Sequence, residues 1–209
     1  KELVGNFKNS GRIWTKKGQA EHVNAYDYPS FAKGKVVPYG AYDINLNKGF
    51  VNVGISSDTA EFAVESIRQW WKQLGKRYYP RAKELLITAD SGGSNGYRNR
   101  GWKYFLNQLT KETGFKITVL HFPPATSKWN KIEHRMFSFI SMNWKGKPLT
   151  DYEVIINFIK NTTTTKGLEI FARLDKKQYK IGKKFSDEEM ERINIMHHEF
   201  RPEWNYTIK

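Results

Sequence analysis

The 209-residue chain contains no cysteine. That excludes disulfides, thiolate metal sites and cysteine nucleophiles together, and it fits a reducing interior. Long apolar runs are missing too. None approaches the roughly 20 residues that a bilayer-spanning helix needs, and the opening KELVGNFKNSGR lacks the apolar centre of a secretory signal. The expectation is a soluble cytoplasmic protein with no membrane partner. Acids are in deficit: 21 Asp and Glu stand against 35 Lys and Arg, a net charge of +14. Such an excess attracts polyanions, and nucleic acid is the commonest of them. GGSNG at 92–96 is followed by no Gly-Lys-Ser/Thr, which excludes a phosphate-binding P-loop. No other nucleotide-cofactor signature is present.

What the chain does have is enough apolar material for one sizeable domain, 39% hydrophobic with seven Trp. KVVPYGAYDIN (35–45) and FVNVGIS (50–56) alternate like two strands of a hairpin turning at 46–49. Asp58 to Glu61 has capping-box spacing and predicts a helix from Thr59 to Leu74, buried through Val64, Ile67, Trp71 and Leu74 and stopped by Gly75. ELLITAD (84–90) reads as a strand buried on both faces. A helix follows over 98–113, ended by Gly114, and then the strand FKITVLHF (115–122). Capping boxes at Thr150 to Glu153 and Ser186 to Glu189 open two more helices. The order β-β-α-β-α-β-α-α argues for an α/β domain with a mixed central sheet flanked by helices, read here as one domain over 1–209.

Two acids stand at architecturally special places. Asp90 ends an apolar strand, where a central sheet presents side chains into the crevice at its carboxyl edge. Glu133 follows one strand and one turn later, on a helix entered through Pro123 and Pro124. The prolines set the exit of the strand and force a change of direction. Phe137, Ile140 and Trp144 follow Glu133 at helical spacing, which predicts a carboxylate in line with an apolar column. Such a carboxylate is costly unless neutralised. A divalent cation held by Asp90 and Glu133 would neutralise it, and Mg²⁺ prefers such hard oxygen ligands. Read singly, Asp90 is equally a turn residue and Glu133 a partner of the helix dipole.

ITADSGGSN (87–95) followed by HFPPATSKWNKIEH (121–134) resembles the DDE-type transposases of bacterial insertion sequences, on the mariner-like side of that superfamily. Asp90 matches the strand-ending second acid of that group. Pro123, Pro124, Ser127, Asn130, Ile132 and Glu133 match the signature that carries its third. ELVGNFKN (2–9), GRIWTKKGQ (11–19), SFISMNWKGKPL (138–149) and EWNYTIK (203–209) extend the likeness over essentially the whole chain, to the Rhodopirellula-type transposase DDE domain. The resemblance implies an RNase H-like fold and two divalent ions, Mg²⁺ or Mn²⁺. It implies DNA as partner, self-association during transposition, and strand cleavage and transfer at transposon ends, in a bacterial cytoplasm and at the nucleoid when DNA is bound. It further implies a first acid on a strand immediately before ELVGNFKN, and a helix-turn-helix region ahead of that. The sequence starts at Lys1, so the expectation is a catalytic domain cut just inside its first strand, with weak or absent catalysis. Asp43, Asp58 and Asp27 are poor substitutes, being placed in a strand, at a helix cap and in a loop. The alternatives are a non-catalytic DNA-binding remnant or domesticated RNase H-like protein, and another RNase H-like nuclease such as a resolvase.

Lys128, Lys131 and Arg135 flank Glu133 and are candidates for holding the DNA backbone by charge. Trp129 is placed either to stack on an unpaired base or, more simply, in the core. Asn95 and Asn130 are candidates for positioning substrate or a metal-bound water, with capping as the plainer role. His134 stands beside the acid, and a structural role is the simpler one. A metal role for His197 and His198 is disfavoured, because adjacent residues on a helix diverge.

Overall fold

The computed structural model describes residues 1–25 and 29–209, as two compact units, Lys1–Ser56 with Lys131–Gln178 and Ser57–Asn130 with Tyr179–Lys209. Asp27 lies outside the described residues. The architecture is mixed α/β, as expected of an RNase H-like domain, with two four-stranded mixed sheets and flanking helices.

In the first unit the strands β1 (Glu2–Val4), β2 (Gly34–Asp43), β3 (Lys48–Gly54) and β6 (Glu169–Asp175) form a sheet in the order β1-β2-β3-β6. Only the β3–β6 pair is parallel. The hairpin turns at 44–47, two residues earlier than its sequence suggests. The Asp43 carboxylate accepts from the backbone N–H groups of Asn45 and Leu46, both at 3.0 Å, and Asn47 takes φ 53°. That local bonding is the physical reason Asp43 serves a turn. Strand β6 escaped the sequence reading because charged residues interrupt EIFARLD. Its buried side is nevertheless regular, with Ile170 and Ala172 inward. At its end Asp175 is a buried carboxylate, satisfied by the Asn52 amide at 3.0 Å and the Lys177 N–H at 3.0 Å.

The helix Tyr152–Lys160 packs Ile155 and Ile159 into this unit's core. Its cap is Asp151, one residue later than expected, and its carboxylate accepts from the Val154 N–H at 2.9 Å. That bond is the largest influence holding the Asp151 carboxyl below its ordinary value of 3.8. A depressed folded-state value contributes stability above the unfolded value, lost as pH falls through the folded one. Asp151→Ala is therefore expected to cost about 1 kcal/mol at pH 7. In urea titrations the gap from wild type should close as pH drops below 3.8. A gap that stays constant into the acid range would show that the capping bond is not its source.

In the second unit β4 (Glu84–Ala89), β5 (Lys116–His121), β7 (Ile195–His197) and β8 (Asn205–Ile208) are ordered β4-β5-β8-β7, with β4 and β5 parallel. Strand β8 runs antiparallel to both β5 and β7. Strands β7 and β8 were not anticipated. They belong to a C-terminal segment in which the sequence shows only a helix, and that helix is short, Asp187–Glu191, with the expected Ser186–Glu189 capping box. His197 and His198 thus sit at a strand end, not on a helix. Their rings bond the Pro202 carbonyl and the Thr207 hydroxyl at 2.6 and 2.9 Å, which gives both a structural use.

The helix Ala60–Trp70 is capped by Thr59, not Asp58. It does not stop at Gly75. A π turn, Trp71–Gly75, carries it on to Tyr78. A Cβ on Gly75 would lie 2.4 Å from the Trp71 ring, so close packing explains this glycine better than termination does. The helix Arg100–Thr113 matches expectation, with Trp102, Leu106 and Leu109 buried and Gly114 left-handed at its end. Strand β4 departs from it. Among the described residues only β5 pairs with β4. The strand is half-exposed rather than enclosed, and Leu86 is 62% accessible.

Candidate active site at the end of strand β4

In the second unit the parallel strands β4 and β5 end side by side, at Ala89 and His121. The Phe122 N–H continues the ladder to the Ala89 carbonyl at 2.8 Å, and the Ser91 hydroxyl bonds the Phe122 carbonyl. Asp90 leaves β4 at this point with an exposed side chain. Beyond Pro123 and Pro124 the chain reverses through Ala125, at φ 64°, braced by the Thr126 hydroxyl on the Pro123 carbonyl at 2.6 Å. After a single 3₁₀ turn, Ser127–Trp129, this reversal sets Asn130 against Asp90. The Asn130 amide N–H donates to Asp90 Oδ1 at 2.7 Å, and Asn130 itself is buried. The prolines change the direction of the chain, as the sequence suggested, and the reversal at Ala125 brings Asn130 to the strand end.

A second contact steadies the same residue from inside the sheet. His121 is buried, and its Nδ1 lies 2.8 Å from the Asp90 carbonyl oxygen. A carbonyl only accepts, so Nδ1 carries the proton there. Nε2 then accepts from the Tyr206 hydroxyl at 3.1 Å. Burial lowers the His121 pKa, against the bond to Asp90, and the Lys103 charge lowers it further. Burial also raises the Tyr206 phenol well above its ordinary value, opposed by the nearby Trp102. Both shifts favour this neutral arrangement. Asp90 is therefore held twice, by its backbone and by one carboxylate oxygen, and among the described residues no hydrogen bond engages Oδ2. Sequence reading missed His121, although a histidine closing a strand immediately before Pro-Pro was the available signal.

Glu133 belongs to the first unit, three residues after Asn130 in sequence. The expectation of a carboxylate in line with an apolar column does not hold, for Glu133 is exposed. Glu133–Phe137 forms a π turn ahead of the helix Ser138–Asn143. The wider i→i+5 turn inserts a residue into the helical count and rotates the carboxylate off the buried side. The core face is Met136, Ile140 and Trp144, and Phe137 is only partly buried.

Lys128, Lys131 and Arg135 are all exposed, as charge contacts to a polyanion require, and so is His134. Trp129 is 53% accessible, which overturns its placement in the core. Asn95 ends a 3₁₀ turn, Gly93–Asn95, and is half-buried. Asn130 is turned to Asp90 and does not present its amide as a surface contact for DNA. Among the described residues no three His, Asp or Glu side chains cluster as a metal site. The Asp90 carboxylate, exposed and oriented by Asn130, nevertheless has the hard-oxygen chemistry that suits Mg²⁺ or Mn²⁺.

No helix among the described residues is long and apolar enough to cross a membrane. No curated protein and no solved structure matches the chain. The family model for the Rhodopirellula transposase DDE domain matches residues 1–209. Its members are transposases, which act on DNA and generally use divalent metals. Because that match spans the whole of the 209 residues, the chain belongs to the Rhodopirellula transposase DDE domain family.

Proposed function

We propose that this chain carries two of the three catalytic acids of a DNA transposase, Asp90 and Glu133, which bind Mg²⁺ or Mn²⁺ for phosphodiester cleavage and strand transfer at transposon ends. The observation that carries this reading is the 2.7 Å bond from Asn130 to Asp90. It joins the two separated halves of the family signature and orients a carboxylate before any ligand arrives. Two such ions, when bound, activate an attacking oxygen and stabilise a leaving one. The protein's own part is positional: Asn130 and His121 fix Asp90, while the π turn presents Glu133. Lys128, Lys131 and Arg135 neutralise backbone phosphates without reading sequence, and Asn95 lies in the loop that follows Asp90. Self-association accompanies strand transfer, and no nucleotide cofactor takes part.

The assay compares wild type with Asp90→Ala and Glu133→Ala in protein that holds all three acids of the family site. The substrate is supercoiled plasmid carrying the transposon ends. Mg²⁺-dependent nicking is expected from wild type and little or none from either variant. Nicking that survives both chelator and Asp90→Ala would refute the metal-site reading. DNA binding that falls with salt, with no nicking from wild type, would establish a non-catalytic DNA-binding remnant instead.

A further inference from the structure

The segment between Lys8 and Asn24 is closed at its root and open at its tip. Lys8 N–H bonds the Asn24 carbonyl, and Asn24 N–H bonds the Asn6 carbonyl, both at 2.9 Å. The Asn6 amide adds the His22 carbonyl at 2.9 Å. A second anchorage lies further along, where Gly146 N–H bonds the Ser10 carbonyl at 2.7 Å and the Asn9 amide bonds the Trp144 carbonyl at 3.0 Å. Gly146 has φ 69°, and a Cβ there would stand 3.1 Å from the backbone at Arg12 and Ile13. The root is thus packed against the turn after the Glu133-bearing helix, within one unit. Every residue from Gly11 to His22 is exposed.

At the tip Trp14 has full exposure, 102% of its reference area. A free indole is an unusual thing for a folded chain to leave in water, since burying a Trp removes about 150–250 Å² of surface. Arg12, Lys16 and Lys17 surround it in sequence, against the single acid Glu21, and none of the three forms an ion pair among the described residues. An aromatic plane set among unpaired cations matches the chemistry of a nucleic-acid strand, which offers a base face beside a phosphate. It matches an apolar protein face poorly, because docking there would desolvate the cations.

We propose that this arm is a second DNA-binding element, distinct from the metal-binding acids, that engages unpaired bases. Trp14 stacks on a base, while Arg12, Lys16 and Lys17 hold the flanking phosphates. The proposal rests on DNA being the partner but not on catalysis. Closure of the root keeps the arm at a defined distance from the core of its unit, and the exposure of the tip leaves the indole available.

The test is fluorescence anisotropy with labelled duplex DNA, blunt or carrying a short single-stranded overhang. Trp14→Ala is expected to weaken overhang binding roughly 5- to 150-fold, the range for losing one stacked base, and to leave blunt-duplex binding within about 2-fold on the same grounds. Trp14→Phe should retain most of the preference. Replacing Arg12, Lys16 and Lys17 together with Gln should weaken both DNAs and reduce the salt slope by about 0.9 for each phosphate no longer neutralised. Equal binding of both DNAs by Trp14→Ala and wild type overturns the proposal. So does a Trp14→Ala change in sedimentation with DNA affinity intact, which would make the arm an interface between copies. Asp90→Ala and Glu133→Ala separate this inference from the metal site. They should keep the overhang preference while losing cleavage, so either idea can fail alone.

Discussion

Asp90→Ala is expected to abolish Mg²⁺-dependent cleavage of transposon-end DNA, and Asn130→Ala to lower it about 10- to 100-fold, the usual effect of removing a residue that orients a metal ligand. The two losses differ in kind. Asp90→Ala removes a donor oxygen that added Mg²⁺ does not replace. Asn130→Ala keeps the donor and frees its rotamer, so half-saturating Mg²⁺ should rise while the rate at high Mg²⁺ partly recovers. Asn130→Asp is the sharper variant, because it preserves size and exchanges the donating amide for a carboxylate. At a buried position 2.7 Å from Asp90 Oδ1, that places two like charges side by side. It should be worse than alanine. If packing alone mattered, Asn130→Asp would behave as wild type, and Mg²⁺ titration of the nicking rate decides between these outcomes.

Met136→Ala is expected to destabilise the first unit by about 2–5 kcal/mol, since the side chain is fully buried and leaves a cavity. Its environment makes a more searching test possible. Gly40 and Gly49, on β2 and β3, are the floor on which Met136 lies. A Cβ at Gly49 would stand 2.3 Å from the Met136 sulfur, and one at Gly40 would stand 2.6 Å from its methyl carbon. Gly49→Ala alone overpacks the site and costs about 1–3 kcal/mol. In Gly49→Ala with Met136→Ala, the new methyl occupies part of the space the thioether vacates. The double variant should be more stable than the sum of the singles by more than about 0.5 kcal/mol, measured by urea unfolding. Strict additivity would mean that Met136 does not rest on the glycines. Met136 also lies within the π turn that begins at Glu133, so the same variant should impair cleavage beyond its effect on stability.

Local chemistry was legible where its cause is local. The helix Arg100–Thr113 has its buried stripe, its asparagine cap and its left-handed Gly114 written within a few residues of each other. The Ser186–Glu189 capping box needs only four residues to state itself. Strands β7 and β8 are too short for periodicity to reveal: β8 exists because β5 offers a partner distant in sequence, and β7 then pairs with β8. The same limit explains β4. An apolar run records how much surface needs covering, whereas the neighbours that cover it are set by pairing.

The candidate site divides along the same line. Asp90 at a strand end, two prolines and Glu133 beyond them are features of the sequence, and with them come the family and its chemistry. That Asn130 turns inward to Asp90, and that His121 holds the Asp90 carbonyl, follows from parallel pairing of β4 and β5 and a chain reversal at Ala125. Neither follows from spacing. Glu133 shows the difference most plainly. Its helical spacing to Phe137, Ile140 and Trp144 places it on the apolar column only if every turn is α-helical, and one π turn moves it into solvent. The sequence by itself determined the family and the candidate residues. The tertiary structure decided which way each of them faces, because orientation depends on backbone hydrogen bonds chosen by packing.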